Sequence, residues 1–459
     1  MSKKILLKDI LCLRKDFDSP SIKGGDMLIQ DGVIKTISEK GDLVPDSNTK
    51  VIDCSNYTVI PGLVNTHHHF YQTLTRNLPE VQDAKLFDWL TYLYEIWKGI
   101  DAEAVNVSST LAMAELLKTG CTATTDHHYL YPQGFDGDLM GLQFEAADKL
   151  GMRFSPTRGS MSLSKKDGGL PPDSVVQTDQ EILDDSERCI KQYHVPGNSM
   201  HKIVLAPCSP FSVTKELMTQ TSRLARKYDV RLHTHLCETF DENDFCLQMY
   251  GKRPLDLMKE CEMVGPDVFF AHGIHFNDEE LKELKRTASN IAHCPSSNMR
   301  LGSGICRVKD MLDLGINVGI AVDGSASNDS SDMLGELREA LLLQRVKYGS
   351  GALKADQVFK MGTINGANML GFTNTGKLKE GWNADMAIFD VSTIPYAGSF
   401  SDNSASLLFC GTNHNTAYTI VNGKIVVDNG ELVGVDEKEL ASRAREVSKK
   451  LLNKAGVVE

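Results

Sequence analysis

The stretch Pro61-Gly62-Leu63-Val64-Asn65-Thr66-His67-His68-His69 is short and apolar, and it ends in a cluster of histidines. In an extended strand the side chains alternate between two faces, so His67 and His69 point the same way while His68 points away. Two neutral imidazoles on one face at this spacing can bind one metal ion. Pairs of this kind also arise by chance, so the rest of the chain has to decide whether a metal site is present.

The composition restricts the class of protein. Of 459 residues, 41% are hydrophobic, which is enough for a large core. The formal net charge is −12 and there is no long basic run, so nucleic acid is not an expected partner. We find no signal peptide and no apolar run of membrane-spanning length, so no membrane partner is expected either. The eleven cysteines lack paired spacing, which is typical of reduced thiols, and we expect a cytoplasmic protein.

From residue 59 onward, apolar β-rich runs recur, and most of them are separated by helical patterns. The eight runs are 59–65, 121–126, 151–158, 202–207, 230–235, 267–272, 289–294 and 316–323. Strands that alternate with helices indicate parallel pairing. Eight such units in about 320 residues predict an α/β fold, a closed (β/α)₈ TIM-like barrel.

Both chain ends carry hairpin signals instead. Asp31-Gly32 lies between apolar pairs near the start, and Asn422-Gly423 lies inside a similar pattern near the end. We therefore predict that residues 1–58 and 379–459 combine into a small β-sandwich domain beside a barrel formed by residues 59–378. The last range would also contain a terminal helix.

Helical patterns of apolar residues mark several of the connecting segments. One pattern carries Trp89 and Trp97 at helical spacing, and we interpret both indoles as packing residues. A second pattern runs from Val105 to Lys118. The terminal helix is predicted from Glu437 to Lys454.

Barrels of this kind carry their chemistry at the C-terminal ends of the strands. Four of the runs end in side chains that bind metals or transfer protons: His67 and His69, His235 with Glu238, His272, and Asp323. Each residue alone has a structural explanation, such as a hydrogen-bonded histidine or an aspartate in a turn. Their coincidence at one end of one fold predicts a metal site.

This constellation resembles the amidohydrolase superfamily over nearly the whole chain, and the closing stretch Gly381-Trp382-Asn383-Ala384-Asp385 also looks like a signature of that family. The resemblance implies metal ligation by His67, His69, His235 and Asp323. Members with two metal ions carry Lys or Glu at the end of strand 4, where this chain has Ala206-Pro207-Cys208. We therefore expect one divalent ion, with Zn²⁺ in first place and Fe²⁺ as the alternative.

Three segments resemble the branch of the family that deaminates 8-oxoguanine and isocytosine, namely residues 67–76, 122–129 and 156–161. This resemblance implies hydrolytic removal of an exocyclic amine, which converts 8-oxoguanine to urate or isocytosine to uracil and releases ammonia. Many relatives that act on nucleosides or triazines carry His after the strand-4 proline. Cys208 stands at that position here, which favours a bare base and a place in purine or pyrimidine base metabolism.

The resemblance also implies three catalytic residues. A metal ion lowers the pKa of water towards roughly 7, which makes hydroxide available to attack the ring carbon. Asp323 would take the water proton, and Glu238 would protonate the ring nitrogen and the leaving amine. His272 would stabilise the developing negative charge or orient the hydroxide.

Substrate contacts are predicted for Gln72, Arg158 and Cys208. Gln72 follows the first strand and offers both a donor and an acceptor, and Arg158 at the end of the third strand could face an exocyclic oxygen. Both residues have structural alternatives, because Gln72 could cap a helix and Arg158 could pair with a carboxylate.

Other interpretations remain open at this point. The substrate could be another amino-aromatic ring, such as guanine, cytosine or a triazine. A metal-free barrel that serves as a non-catalytic scaffold is a further alternative. In the favoured interpretation the partner is a small nucleobase, and the family resemblance suggests a homo-oligomer, specifically a dimer.

Overall fold

The computed structural model describes residues 4–39, 41, 43–135, 137–411 and 414–457. Within these ranges, parallel strands form a central barrel: Leu63–Asn65, Cys121–Thr124 with His127–His128, Arg153–Phe154 with Thr157–Ser160, Val204–Pro207, Arg231–Leu236, Val268–His272, Asn290–His293 and Val318–Ile320. The last strand closes onto the first, because the Thr66 amide donates to Ile320 O at 3.0 Å and the Asp323 amide donates to His67 O at 3.1 Å. The predicted α/β TIM-like barrel is confirmed.

Helices surround the barrel on its outer side. In the described ranges the α-helices are Leu86–Trp97, Ala102–Lys118, Leu139–Leu150, Asp179–Tyr193, Lys215–Lys227, Phe240–Tyr250, Pro254–Glu260, Asp278–Thr287, Pro295–Arg300, Val308–Asp313, Met333–Tyr348, Ala355–Lys360, Gly366–Leu370, Asn403–Phe409 and Glu437–Lys454. Polar side chains cap the N-termini of several of these helices; for example, Thr178 and Glu181 form a reciprocal capping box at the start of Asp179–Tyr193. None of the described helices combines the length and the apolar character that a membrane crossing requires.

The two chain ends form two further sheets. One has four strands, Lys4–Ile10, Gly25–Gln30, Val33–Ser38 and Thr49–Asp53. The other has six, Cys12–Leu13, Tyr57–Pro61, Met386–Asp390, Tyr418–Val421, Lys424–Asp428 and Glu431–Leu432. Ile5 and Ile29 from the first sheet share one buried core with Met386 and Ile420 from the second. The predicted β-sandwich made from both ends is thus confirmed, while the domain boundaries at residues 58 and 378 stay predictions.

The predicted run 59–65 is two strands rather than one. Tyr57–Pro61 pairs antiparallel with Met386–Asp390 in the small domain, and Leu63–Asn65 starts the barrel. Gly62 separates them at a close approach, since a Cβ atom at this position would lie 2.1 Å from the Thr122 hydroxyl oxygen. The chain can therefore pass from one domain to the other at Gly62 only without a side chain there.

The terminal helix Glu437–Lys454 begins and ends where the sequence pattern predicts. It lies against the barrel helix Ala102–Lys118, and Lys118 forms an ion pair with Glu437. The Ser448 hydroxyl donates to Leu74 O at 2.6 Å, just beyond the first barrel strand. The helix therefore covers the barrel next to the segment that follows His67 and His69.

The buried carboxyl of Glu336, in the helix Met333–Tyr348, makes the stability of the protein depend on pH. Burial raises the pKa of its carboxyl to about 8, above the usual value of 4.5, although the Ser296 amide donates to it at 3.2 Å. The folded state therefore keeps a proton that the unfolded state releases, and stability falls as the pH rises from about 5 to 8. We expect Glu336→Gln to remove this loss. As the pH rises, the unfolding free energy of the variant minus that of the wild type should therefore increase by up to about 1.4 kcal/mol per pH unit.

Urea unfolding at both ends of this pH range measures the effect. Glu279→Gln is the matched control, because the Glu279 side chain is 80% exposed. A difference between Glu336→Gln and wild type that stays constant with pH would contradict the assignment of the proton to Glu336.

Candidate active site

The side chains predicted as metal ligands come together at the C-terminal end of the barrel, and all of them are buried. The Nε2 atoms of His67 and His69 lie 3.4 Å and 3.5 Å from Asp323 Oδ1. His69 Nε2 lies 3.2 Å from His235 Nε2. His68 points to the other side, where its Nε2 lies 2.9 Å from the Ser331 hydroxyl, as strand alternation predicts.

The protonation of these imidazoles follows from their outer contacts. His69 Nδ1 lies 2.8 Å from His127 O, and His235 Nδ1 lies 2.7 Å from Cys208 O. A carbonyl oxygen only accepts, so each Nδ1 carries the proton. Burial lowers the pKa of both histidines, which leaves them neutral with an unshared pair on Nε2. Because the two Nε2 atoms lie only 3.2 Å apart, their unshared pairs repel one another unless a cation lies between them.

The donor set fits a divalent metal ion. His67 Nε2 is buried and has no hydrogen-bond partner among the described residues, so a third unshared pair is available beside Asp323. Three imidazoles and one carboxylate suit Zn²⁺ and also accept Fe²⁺. His127 belongs to the same cluster: its Nε2 lies 3.2 Å from Ala206 O, its buried Nδ1 has no partner among the described residues, and its ring stacks on His235 with centroids 4.7 Å apart.

Two acid–base groups lie next to this cluster. Burial raises the pKa of Glu238 to about 7, and its Oε1 has no partner in the described part of the chain. Its Oε2 lies 3.5 Å from His272 Nε2. Burial alone would lower the pKa of His272, but the charges of Glu238 and Asp323 outweigh it and raise that pKa above 6.5. The pair can therefore exchange protons near neutral pH.

The backbone around these groups is held in an unusual conformation. Cys237, His272 and Asp323 have φ angles of 54°, 69° and 66°, in the left-handed region that non-glycine residues rarely adopt. The Glu242 carboxylate accepts the amides of Cys237 and Glu238 at 2.9 Å and 3.1 Å, which stabilises the turn after the fifth strand. Strain of this kind costs on the order of 1–3 kcal/mol per residue and is typical of functional sites.

A cavity opens above the cluster, and about 390 Å³ of space within it and at its open mouth is not filled by atoms. His69, Glu238, His272 and Asp323 form its floor, while Leu86 and other residues of the helix Leu86–Trp97 contribute to its lining. Aromatic and aliphatic walls around a floor of polar, ionisable side chains are typical of a small-molecule site.

Of the predicted substrate residues, Gln72 and Cys208 line this cavity and Arg158 does not. Gln72 lies within the short helix Phe70–Thr75, and its Oε1 has no partner among the described residues. Arg158 is buried elsewhere: it donates to Asp185 at 2.6 Å and to Gln177 at 2.8 Å. The substrate contact predicted for Arg158 is therefore unsupported, and the alternative of a carboxylate pair is what the structure contains.

Trp89, Tyr94 and Tyr129 also line the cavity, although the sequence interpretation assigned none of them to substrate. The buried Trp89 Nε1 has no hydrogen-bond partner among the described residues, whereas Trp97 Nε1 donates to the Thr75 hydroxyl at 3.1 Å. The two indoles share one helix pattern, so spacing alone cannot separate them. The structure separates them, because Trp89 lines the cavity with an unpartnered N–H while Trp97 lies outside the lining with its N–H bonded to Thr75.

Comparisons with known proteins cover nearly the whole chain. A sequence model of the amidohydrolase family matches residues 58–426. An 8-oxoguanine deaminase from Pseudomonas aeruginosa is 44% identical over 429 residues, which span 93% of this chain and 95% of that protein. A hydroxydechloroatrazine ethylaminohydrolase from Pseudomonas sp. (strain ADP) is 34% identical over 445 residues, 94% of this chain and 92% of that protein.

The structural comparison gives a similar result. The crystal structure of an atrazine chlorohydrolase from Arthrobacter aurescens TC1, complexed with zinc, matches with a TM-score of 0.92 at 29% identity. The match covers 97% of this chain and 100% of that one. At this level of similarity the barrel and the β-sandwich correspond throughout.

The ligand cluster and the residue at the end of the fourth strand together predict how many metal ions the protein binds. We expect one divalent ion per chain, because the end of the fourth strand provides Cys208 rather than a bridging Lys or Glu. A chelator should lower the melting temperature, and Zn²⁺ should restore it by binding only the folded state. The expected gain is about 2.7 kcal/mol at a free metal concentration 100 times the dissociation constant.

Elemental analysis together with thermal melts measures both quantities. Two ions per chain, or a melting temperature indifferent to chelator and zinc, would contradict the single-site prediction.

Proposed function

The chain belongs to the amidohydrolase family, and from this membership we propose that it is a metal-dependent deaminase of an oxidised purine or isocytosine-type base. The reaction replaces the exocyclic amine with oxygen from water, so 8-oxoguanine gives urate, isocytosine gives uracil, and ammonia leaves. The observation that carries the proposal is a buried metal-ligand cluster, with Glu238 and His272 beside it, at the floor of one small cavity. The similarity to an 8-oxoguanine deaminase supports the choice of base.

The ligands proposed for the ion are His67, His69, His235 and Asp323, with Zn²⁺ as the favoured metal. When bound, a divalent ion lowers the pKa of water towards about 7 and so provides a nucleophile at neutral pH. Asp323 has a second task open to it. Its Oδ1 faces the imidazoles, while its Oδ2 lies 3.8 Å from His272 Nε2 and is free to accept a proton from water.

Glu238 and His272 act on the substrate in this proposal. Burial raises the pKa of Glu238 to about 7, which suits a group that gives a proton to the ring nitrogen and then to the departing amine. His272 has a pKa above 6.5, and its Nδ1 is held by Asn298 Oδ1 at 2.9 Å. Its Nε2 lies beside the carboxyl groups of Glu238 and Asp323, and in this proposal the Nε2–H stabilises the oxyanion of the intermediate.

The cavity walls provide contacts for a base. Gln72 Oε1 can accept from a ring N–H, and Trp89 Nε1 can donate to a ring carbonyl or nitrogen, because neither atom is used within the described residues. Cys208 offers a small thiol beside His235, with its Sγ 4.0 Å from His235 Nδ1. A planar base with both donors and acceptors on its edge satisfies these atoms, whereas an apolar ring leaves them unpaired.

A triazine is the second candidate substrate, favoured by the similarity to the ethylaminohydrolase and to the chlorohydrolase. It is also a planar ring whose carbon is flanked by nitrogens. Ranking 8-oxoguanine, isocytosine, guanine, cytosine and aminotriazines by kcat/KM decides between the two. A homodimer, suggested by the family resemblance, and a cytoplasmic location, suggested by cysteines that lack paired spacing, remain proposals.

Replacing the proton carrier gives a direct test. We expect Glu238→Gln to lower kcat for ammonia release from 8-oxoguanine or isocytosine by about 10²–10⁴-fold, since an amide cannot transfer the proton. The metal content should stay at the wild-type level, because Glu238 is not among the proposed ligands.

Asp241→Asn, an exposed change at the start of the following helix Phe240–Tyr250, is the control and should leave kcat nearly unchanged. If the Glu238→Gln variant keeps the full kcat of the wild type, the proton carrier is wrongly assigned.

The two indoles of the helix Leu86–Trp97 form a matched pair of variants. Trp89→Phe keeps most of the apolar surface and removes only the N–H, which has no partner among the described residues, so we expect kcat/KM to fall about tenfold with unchanged stability. Trp97→Phe removes the bond to Thr75 and should lower the unfolding free energy by about 1 kcal/mol.

Steady-state kinetics and urea unfolding of both variants provide the comparison. The assignment fails if Trp89→Phe leaves kcat/KM intact, or if both variants lose stability alike.

A further inference from the structure

We propose that His233 is a positioning residue that holds His67 in the tautomer required for metal binding. The inference rests on the proposed function, since it concerns the same ion. It assigns to a fully buried histidine a role beyond filling the barrel interior. His233 lies two residues before His235 on one strand, so both side chains point into the barrel, with His233 one layer deeper.

A chain of two hydrogen bonds determines where the protons lie. His233 Nδ1 is 2.8 Å from Phe269 O, and this carbonyl can only accept, so Nδ1 of His233 carries the proton. In a neutral imidazole the other nitrogen is then an acceptor. His67 Nδ1 lies 2.7 Å from this acceptor, His233 Nε2, and must therefore carry a proton too.

The consequence appears at the other end of the His67 ring. With its proton on Nδ1, His67 presents an unshared pair at Nε2. That atom is buried without a hydrogen-bond partner among the described residues, 3.4 Å from Asp323 Oδ1. The opposite tautomer would direct an N–H into the cluster and could not bind a cation. Thus one backbone carbonyl, Phe269 O, determines through His233 which nitrogen of His67 binds the ion.

The His233 ring has little freedom to turn away from this arrangement. It stacks on the Phe269 ring with centroids 4.0 Å apart and planes 16° apart. Its strand is paired on both sides, with Val204–Pro207 and with Val268–His272. The acceptor for His67 is therefore presented in a fixed position before any metal arrives.

His67 differs in this respect from the other two imidazoles of the cluster. His69 and His235 donate from Nδ1 to the carbonyls of His127 and Cys208, which remain whatever side chains those residues carry. The acceptor for His67 is a side chain, so it depends on the identity of residue 233. Partners of this kind typically change metal affinity by about 10–100-fold when they are removed.

Zinc affinity of the full-length protein tests the inference. Zinc-loaded wild type, His233→Leu, His233→Gln and His293→Leu are each titrated with a chromophoric chelator. We expect His233→Leu to bind zinc about 10–100-fold more weakly. His233→Gln should recover much of the loss, because its amide oxygen can accept from His67 Nδ1.

His293→Leu is the matched control, since His293 is equally buried and neither of its ring nitrogens has a partner in the described part of the chain. Its zinc affinity should equal that of the wild type. The inference is overturned if His233→Leu binds zinc as tightly as wild type, or if His293→Leu loses as much affinity as His233→Leu.

A second measurement decides the matter if His233→Leu does not fold. Long-range ¹H–¹⁵N spectra of histidine-labelled, metal-free wild type report the tautomer of His67 directly. A proton on Nδ1 supports the inference, and a proton on Nε2 overturns it. Failure of the proposed function looks different: zinc affinity would respond to residue 233 as expected while no base in the panel released ammonia.

Discussion

The structure depends on one electrostatic constraint, the meeting of unprotonated imidazole nitrogens in a buried place. His69 and His235 each use their Nδ1 proton on a carbonyl, and their Nε2 atoms face each other at 3.2 Å. Without water to solvate them, two facing lone pairs are unfavourable. A cation turns this repulsion into ligation, so the arrangement is explained by metal binding rather than by packing.

Barrel closure brings the carboxylate to this place. The Asp323 amide donates to His67 O, so the last strand delivers its aspartate directly beside the first histidine. The Asn65 side chain reinforces this junction with two hydrogen bonds. Its Oδ1 accepts from the Val322 amide, and its Nδ2 donates to the Thr124 hydroxyl. The first, second and last strands are thereby tied together immediately below the ligands. Geometry of this precision needs rigid elements, and the strand ends of a closed barrel provide them.

The sequence predicts the part of this arrangement that follows from periodicity. Alternation along a strand places His67 and His69 on one face, and the order of strands places the other histidines and Asp323 at the same end. Periodicity does not predict contacts that depend on how distant elements are oriented in the folded chain. Arg158 pairs with Asp185, which lies on the helix Asp179–Tyr193 that the pattern did not reveal. The domain crossing at Gly62 was likewise hidden, because its cause is the close approach of Thr122.

Trp89 illustrates a further limit of sequence prediction, and in the proposed function it bears on the choice of substrate. A buried N–H without a partner costs about 1–3 kcal/mol in the free protein, and the same holds for the unpaired oxygens of Gln72 and Glu238. Packing alone would have favoured apolar side chains at such positions, so the cost is consistent with a ligand that completes the hydrogen bonds. A ring that lacks a matching acceptor or donor leaves these groups unpaired in the complex as well. In the proposed function, discrimination between bases then comes from the penalty for wrong partners more than from the attraction of the right one.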